Sequence, residues 1–173
     1  MVRTDESPDW EVRPASTRRN IFRCNDSVIY NDRSKEGASP VMNPKPDRNP
    51  RVLLVEDDAA IVSVMIRYLD ASGYATEAVD SVEAALRAFA ENKPDIIVTD
   101  IFMSGDDGFA LIESVRANDP NLPIIAISGG RAGFDVLAQA AKLGANATIE
   151  KPFSAAYLVD TIDRCLEGQA SGK

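Results

Sequence analysis

From Arg51 to Glu167 the sequence alternates between short apolar segments typical of β-strands and longer segments with helical periodicity. The strand-like segments are RVLLVE, YATEAV, DIIVTD, PIIAIS and ATIEK. The helical patterns between and after them cover 59–71, 82–92, 109–118, 134–143 and 155–167. Strands that alternate with helices predict a parallel sheet covered by helices on both faces. We therefore expect a doubly wound, five-stranded α/β domain.

The first 49 residues differ from the rest of the chain in composition and in hydrophobic pattern. They are rich in Pro, Asn, Asp, Ser and Arg and show no sustained apolar periodicity. We expect a disordered extension over residues 1–49, a folded domain over 50–168 and a short tail over 169–173. The alternative within the extension is local pairing of the apolar stretch from Val28 to Tyr30.

Composition narrows the class of protein. The formal net charge of −8 gives no support to a nucleic-acid partner, and the domain shows neither a helix-turn-helix extension nor a basic face. No apolar run approaches the length of a membrane span, and the amino terminus lacks the order of a signal peptide. Cys24 and Cys165 form no CxxC motif, which is typical of reduced thiols. We expect a cytoplasmic protein without a membrane or nucleic-acid partner.

Polar residues stand where four of the predicted strands end. Glu56 and Asp57 follow the first strand, Asp100 ends the third, Ser128 the fourth and Lys151 the fifth. Ligands of doubly wound sheets bind outside the carboxyl ends of the strands, where the strand order reverses. We therefore expect these five residues to meet at one edge of the sheet.

The residue types at this edge indicate phosphoryl chemistry. Clustered carboxylates resist joint ionisation unless a cation neutralises them, and Mg²⁺ needs only a few hard oxygen ligands. A carboxylate between Mg²⁺ and the ammonium of Lys151 is suited to attack phosphorus, because both cations stabilise charge on the transferred group. Ser128 can hydrogen-bond that group. The pattern predicts that Asp100 receives a phosphoryl group, whereas Asp58 and either Asp106 or Asp107 are interpreted as helix N-caps.

Three segments resemble the receiver domain of two-component response regulators. VLLVEDD resembles the acidic motif of its first strand, DIFMSGDDG its phosphoacceptor loop, and KLGANATIEKPF its last strand with a Lys-Pro pair. The resemblance covers Arg51 to Glu167. It implies a flavodoxin-like fold with strand order 2-1-3-4-5, in which Asp100 is the phosphoacceptor, Ser128 the switching hydroxyl and Lys151 the contact to the phosphoryl group. The Lys151–Pro152 peptide bond is then expected to be cis.

The same resemblance implies a metal site. It assigns Mg²⁺ to three carboxylates and one backbone carbonyl, namely Glu56, Asp57, Asp100 and the carbonyl of Phe102.

The chain departs from the family pattern at three positions. Ser104 stands where the phosphoacceptor loop usually has proline, Asp106 where methionine is frequent, and Thr148 where Tyr or Phe is common. An aromatic rotamer switch cannot operate at Thr148. A phosphorylation signal would therefore act through Ser128 and the GGRAGF segment that follows it.

These features favour a single-domain response regulator with no enzymatic turnover, because only GQASGK follows the last predicted helix and no attached output domain is expected. The chain contains no histidine, so we expect the phosphoryl donor to be a separate sensor histidine kinase or histidine phosphotransfer protein, and the output to be a downstream protein. The alternative is a receiver-like adaptor that binds independently of phosphorylation. A phosphatase is disfavoured, since haloacid-dehalogenase-type enzymes need an acid where Phe102 stands.

Overall fold

The computed structural model describes residues 21–24, 27–30, 48–104, 106–129 and 133–170. The strands are β1 (Ile21–Cys24), β2 (Ser27–Tyr30), β3 (Arg51–Val55), β4 (Ala75–Val79), β5 (Ile96–Asp100), β6 (Phe102–Met103), β7 (Asp106–Asp107), β8 (Ile124–Ser128) and β9 (Ala147–Glu150). The helices are α1 (Ala59–Ala71), α2 (Val82–Glu91), α3 (Gly108–Asn118), α4 (Gly133–Leu143) and α5 (Ala155–Ala170). Among the described helices, none is long and apolar enough to cross a membrane.

The main sheet contains the five predicted strands, all paired in parallel. The order across the sheet is β2-β1-β9-β8-β5-β3-β4. Numbered along the chain, the five parallel strands follow the order 2-1-3-4-5, which confirms the predicted doubly wound fold. The strand order reverses beside β3, so a crevice is expected at the carboxyl ends of β3 and β5.

The sheet also carries an antiparallel hairpin that differs from the prediction of a disordered extension. β1 pairs with β2 over four residue pairs, and β1 joins β9 through Phe22 and Ala147. Without β1, the outer side of β9 would be a sheet edge, and such an edge offers unpaired backbone groups to an incoming strand. The composition of the first 49 residues did not indicate this hairpin, although local pairing of Val28 to Tyr30 was the alternative to disorder. The other residues before 48 lie outside the described residues.

Two apolar cores sandwich the sheet, because successive residues of a strand face opposite sides. Leu53 and Val55 belong to the core under α2, α3 and α4, whereas Val52 and Leu54 belong to the core under α1 and α5. Every residue of β5 and β8 is buried, as expected for inner strands of a covered parallel sheet. This packing holds the strand ends in a rigid frame.

The helical spacing of Ile61, Val64, Met65 and Tyr68 predicts that these four residues form the buried face of α1, and the structure buries a different set. Val64 and Tyr68 are each 54% exposed, while Met65 and Leu69 are buried. The helix sequence AAIVSVMIRYLDA is apolar on most of its circumference. Periodicity therefore could not select one face, and the position of the sheet did.

The helix boundaries agree with the prediction to within one residue at all but one end. Asp58 caps α1 and Asp107 caps α3, each accepting backbone N–H groups of the first turn, so both cap predictions are confirmed. The exception is α5, which continues to Ala170 rather than ending at Glu167. The predicted tail 169–173 therefore begins inside the helix, and residues 171–173 lie outside the described residues.

Arg116 of α3 ties three segments together at the end of the sheet remote from the predicted site. Its guanidinium donates to the carbonyl oxygens of Gly144 at 2.9 and 3.0 Å and of Leu122 at 2.7 Å, and to Oδ1 of Asn146 at 2.7 Å. The planar fork of arginine supplies these bonds together, which methionine cannot do.

We expect Arg116→Met to lower the free energy of unfolding by about 2 kcal/mol, because partly buried acceptors lose their donors. Urea denaturation monitored by circular dichroism measures this loss. The matched control is Arg164→Met, which removes an exposed ion pair to Asp160 on α5 and should cost less than about 0.5 kcal/mol. Equal losses in the two variants would contradict a clamping role for Arg116.

Candidate functional site

The strand register brings the predicted site residues to one edge of the sheet. Val55 lies beside Thr99, so the next residues along, Glu56 and Asp100, follow at neighbouring strand ends. Asp100 in turn lies beside Ile127, one residue before Ser128. The Lys151 backbone N–H donates to the Ser128 carbonyl at 2.8 Å, which adds the end of β9.

Lys151 is the centre of this arrangement. Its Nζ lies 2.7 Å from Oε2 of Glu56 and 2.6 Å from Oδ2 of Asp100. The two acidic residues are only 3% and 6% exposed, so their charges require pairing. The ammonium therefore bridges two buried carboxylates that would otherwise repel each other.

The shifted pKa values reflect this balance. Burial raises the pKa of Glu56, and the charge of Asp100 adds to that effect, while the hydrogen bond and charge of Lys151 oppose it. Burial acts to lower the pKa of Lys151, but the hydrogen bonds and charges of Asp100 and Glu56 outweigh it and raise the pKa. Lys151 is therefore a permanent cation at neutral pH, available to a bound anion.

The backbone around Asp100 is held from several sides. Its Oδ1 accepts the Phe102 N–H at 3.1 Å, and the Thr99 hydroxyl donates to the Asp100 carbonyl at 2.8 Å. The Gly108 N–H donates to the Ile101 carbonyl at 3.0 Å, which brings the first residue of α3 against the end of β5. The carboxylate of Asp100 thus has a defined direction, with one oxygen toward Lys151 and the other toward the loop.

Asp57 has a different hydrogen-bond partner from the two carboxylates that Lys151 bridges. Its Oδ2 accepts the backbone N–H of Ser104, in the loop after β6, at 2.6 Å. The hydrogen bond from Ser104 lowers the pKa of Asp57. Because Asp57 is exposed to solvent, its carboxylate stays ionised without a cation beside it.

Ser128 contributes a buried hydroxyl that has no hydrogen-bond partner within the described part of the chain. The residue is fully buried at the end of β8. Buried polar atoms in native proteins are nearly always paired, so this unpaired hydroxyl, on the strand next to the one that leads to Lys151, indicates a place for a polar ligand. The aliphatic part of Lys151 packs against Gly129, where an added Cβ would lie 3.2 Å from the Lys151 Cβ.

The residues fit Mg²⁺ by their chemistry, because carboxylate and carbonyl oxygens are the ligands that this ion prefers. The side chains are nevertheless not arranged around one common point where an ion could bind. Across the described ranges, no three His, Cys, Asp or Glu side chains form a group that could hold a metal ion. The reason lies in the two contacts above, since Lys151 engages Glu56 and Asp100, while Ser104 engages Asp57.

The structure therefore brings Glu56, Asp100 and Lys151 into direct contact, whereas Asp57 is bonded to Ser104 in the loop after β6. The Lys151–Pro152 bond is cis, as predicted. Thr148, which stands where the receiver family commonly has Tyr or Phe, is buried in β9. Within the GGRAGF segment, residues 130–132 lie outside the described residues.

Sequence reasoning missed two residues near the site. Gly108 packs directly on the backbone of Asp100 and Ile101, where an added Cβ would lie 2.5 Å from the Asp100 carbonyl oxygen. The signal was present in the sequence as a glycine that follows two aspartates in the loop after Asp100. Ser104 was noted only as a replacement for proline, and its N–H bond to Asp57 had no local signal.

Comparison with known proteins places these features in one family. The family model described as the response regulator receiver domain matches residues 52–163. The chain is 38% identical over 120 residues to the transcriptional regulatory protein RprY of Bacteroides fragilis, covering 69% of this chain and 50% of the relative. It is 37% identical over 124 residues to the transcriptional regulatory protein PrrA of Mycobacterium tuberculosis, covering 71% and 52%. The chain thus spans about half the length of these relatives.

Solved structures agree with the sequence comparison. A CheY-like response regulator receiver domain protein from Methanospirillum hungatei superimposes with a TM-score of 0.68 at 25% identity, covering 72% of this chain and 99% of the other. The receiver domain of NtrX from Brucella abortus gives a TM-score of 0.64 at 31% identity, covering 67% and 98%. Both similarities extend over nearly the whole of the compared domain.

Proposed function

This chain belongs to the response regulator receiver domain family, and on that premise we propose that it accepts a phosphoryl group on Asp100 and signals through protein–protein contacts. The donor is a sensor histidine kinase or a histidine phosphotransfer protein, because the chain has no histidine of its own. The observation that carries the proposal is the Lys151 ammonium, 2.6 Å from a buried Asp100 and one strand away from the unpaired hydroxyl of Ser128.

The proposed reaction is an in-line displacement. A carboxylate oxygen of Asp100 attacks phosphorus, the bond from phosphorus to the donor's histidine nitrogen breaks, and that nitrogen keeps the electron pair. Mg²⁺, held by Glu56, Asp57, Asp100 and the carbonyl of Phe102, would neutralise charge on the phosphoryl oxygens.

Two further side chains receive the transferred group. The Lys151 ammonium exchanges one of its carboxylate contacts for a phosphoryl oxygen, which preserves the pairing of its buried charge. The hydroxyl of Ser128 donates to another phosphoryl oxygen and thereby gains the partner it lacks among the described residues. Both changes move atoms at the ends of β8 and β9, so we propose that the signal leaves through the adjoining surface.

We further propose that the protein is a cytoplasmic regulator without enzymatic turnover, whose output is a downstream protein. The matched relatives RprY and PrrA are named transcriptional regulatory proteins, and the chain spans about half of each. A role without nucleic acid remains a prediction from the acidic composition of this chain.

The direct test is intact-protein mass spectrometry of the full chain after incubation with acetyl phosphate and Mg²⁺. We expect the mass of one added phosphoryl group, and we expect chelation of Mg²⁺ before the reaction to prevent it, because the attacking and leaving groups are both anionic. Histidine kinases supplied in place of acetyl phosphate should give the same adduct faster. Absence of the adduct with both kinds of donor would refute the proposed function.

Buried Thr148 favours a second candidate, a receiver-like adaptor whose binding ignores phosphorylation. A residue without an aromatic ring cannot move a ring between surface and interior when Ser128 changes position. Capture of partners by the wild type, with and without phosphorylation, separates the candidates. Partners that bind equally in both states would favour the adaptor, and a partner that binds one state only would favour the regulator.

A further inference from the structure

We propose that Ser104 acts as a latch that engages the carboxylate of Asp57 and thereby lowers the affinity of the acidic site for Mg²⁺. The inference rests on the proposed function, since it assumes that Asp57 is a ligand of the ion. It concerns a contact specific to this chain, because the usual residue of the family at this position, proline, has no N–H to donate.

The contact itself is strong for an exposed position. The Ser104 N–H lies 2.6 Å from Oδ2 of Asp57, and a hydrogen bond to an ionised acceptor is shorter and stronger than a neutral one. The same contact lowers the pKa of Asp57, so the acceptor stays ionised. The latch joins residues 47 positions apart in the sequence, one after β3 and one in the loop between β6 and β7.

The latch competes with metal binding because both use the same carboxylate. Within the described residues Asp57 does not form a metal-holding group with Glu56 and Asp100. An ion at the strand ends therefore competes with the Ser104 N–H for the charge of this carboxylate. When only a fraction of molecules is competent to bind, the apparent affinity falls by that fraction.

The competition also works in the opposite direction. Ser104 lies in the turn that joins β6 to β7, where Phe102 pairs with Asp107 and Met103 pairs with Asp106. Phe102 provides the proposed carbonyl ligand, and its exposed ring lies on the same small hairpin. Because coupling between two sites is reciprocal, Mg²⁺ bound at the strand ends weakens the hold of Asp57 on this turn.

The first test measures Mg²⁺ affinity from amide chemical shifts in two-dimensional NMR spectra of the unphosphorylated chain. Ser104→Pro removes the N–H donor, and the preceding residue, Met103, is already in a strand, which suits a proline at 104. We expect Ser104→Pro to bind Mg²⁺ about five- to tenfold more tightly than the wild type. The matched control Ser104→Ala keeps the N–H and should stay within about twofold of the wild type. An unchanged or weaker affinity in Ser104→Pro would overturn the latch.

A second test needs no proline and no phosphorylation. In the metal-free wild type the amide hydrogen of Ser104 should exchange slowly with solvent, and in Asp57→Ala it should exchange about tenfold faster or more. Saturating Mg²⁺ should also accelerate this exchange in the wild type. Exchange that is insensitive to both changes would refute the latch, even where the wild type forms its phosphoryl adduct. A wild type that binds no Mg²⁺ and forms no adduct would instead refute the proposed function.

Discussion

Asp100→Asn is expected to abolish the phosphoryl adduct completely under conditions in which the wild type is converted. Asparagine keeps the size of the side chain and the acceptor oxygen for the Phe102 N–H, but its amide is not a nucleophile toward phosphorus. Lys151 retains its contact with Glu56 at 2.7 Å, so the buried cation still has a partner and the fold should persist. Intact-protein mass spectrometry after treatment with acetyl phosphate and Mg²⁺ measures the outcome.

The matched control for this prediction is Asp107→Asn. Asp107 caps α3 from the same loop by accepting the Phe109 N–H at 2.9 Å, and asparagine is an equally good N-cap. We expect Asp107→Asn to form the adduct as the wild type does. An adduct that persists in Asp100→Asn would show that another residue is the acceptor, and its loss in both variants would point to damage of the loop.

Gly108→Ala is expected to lower the free energy of unfolding by about 3 kcal/mol, near the upper end for an overpacked buried position. The added Cβ would lie 2.5 Å from the Asp100 carbonyl oxygen and 2.8 Å from the Ile101 Cα. Both neighbours are backbone atoms, so no side chain can move aside and the end of β5 must shift. Urea denaturation measures the loss of stability. Because the shift moves the phosphoacceptor, adduct formation should also slow by on the order of ten- to a hundredfold.

The control for the second prediction is the same substitution in another helix. Gly168→Ala in α5 should be neutral or stabilise the protein by less than about 1 kcal/mol, because alanine is the better helix former. If Gly108→Ala were as stable as Gly168→Ala and formed the adduct at the wild-type rate, close packing of α3 on the phosphoacceptor would not matter.

Much of the fold could be predicted from local patterns. Apolar segments such as IIVTD and IIAIS are buried at every position, and the helices between the strands began within one residue of their predicted starts. The N-caps Asp58 and Asp107 were predictable because a cap acts on the backbone within three residues of itself. The buried face of α1 was not predictable, since its apolar residues surround the helix.

The candidate site could be predicted in its membership but not in its geometry. Glu56, Asp100 and Lys151 were expected to meet, and the structure joins them by two short ion pairs. Asp57 was expected to belong with them, yet it bonds to Ser104. The choice of partner for a carboxylate depends on groups that are distant in sequence, and no spacing rule ranks those groups.

What the sequence determined by itself is the order of strands and helices, their caps and the kinds of residue at the strand ends. These depend on burial patterns and hydrogen bonds within a few residues. Only the tertiary structure decided that Lys151 bridges Glu56 and Asp100, that Ser104 engages Asp57, that Gly108 packs on the backbone of Asp100 and that β1 extends the sheet at β9. Each of these contacts joins separate elements, and its geometry is set by how the helices and strands pack on one another, which local sequence does not encode.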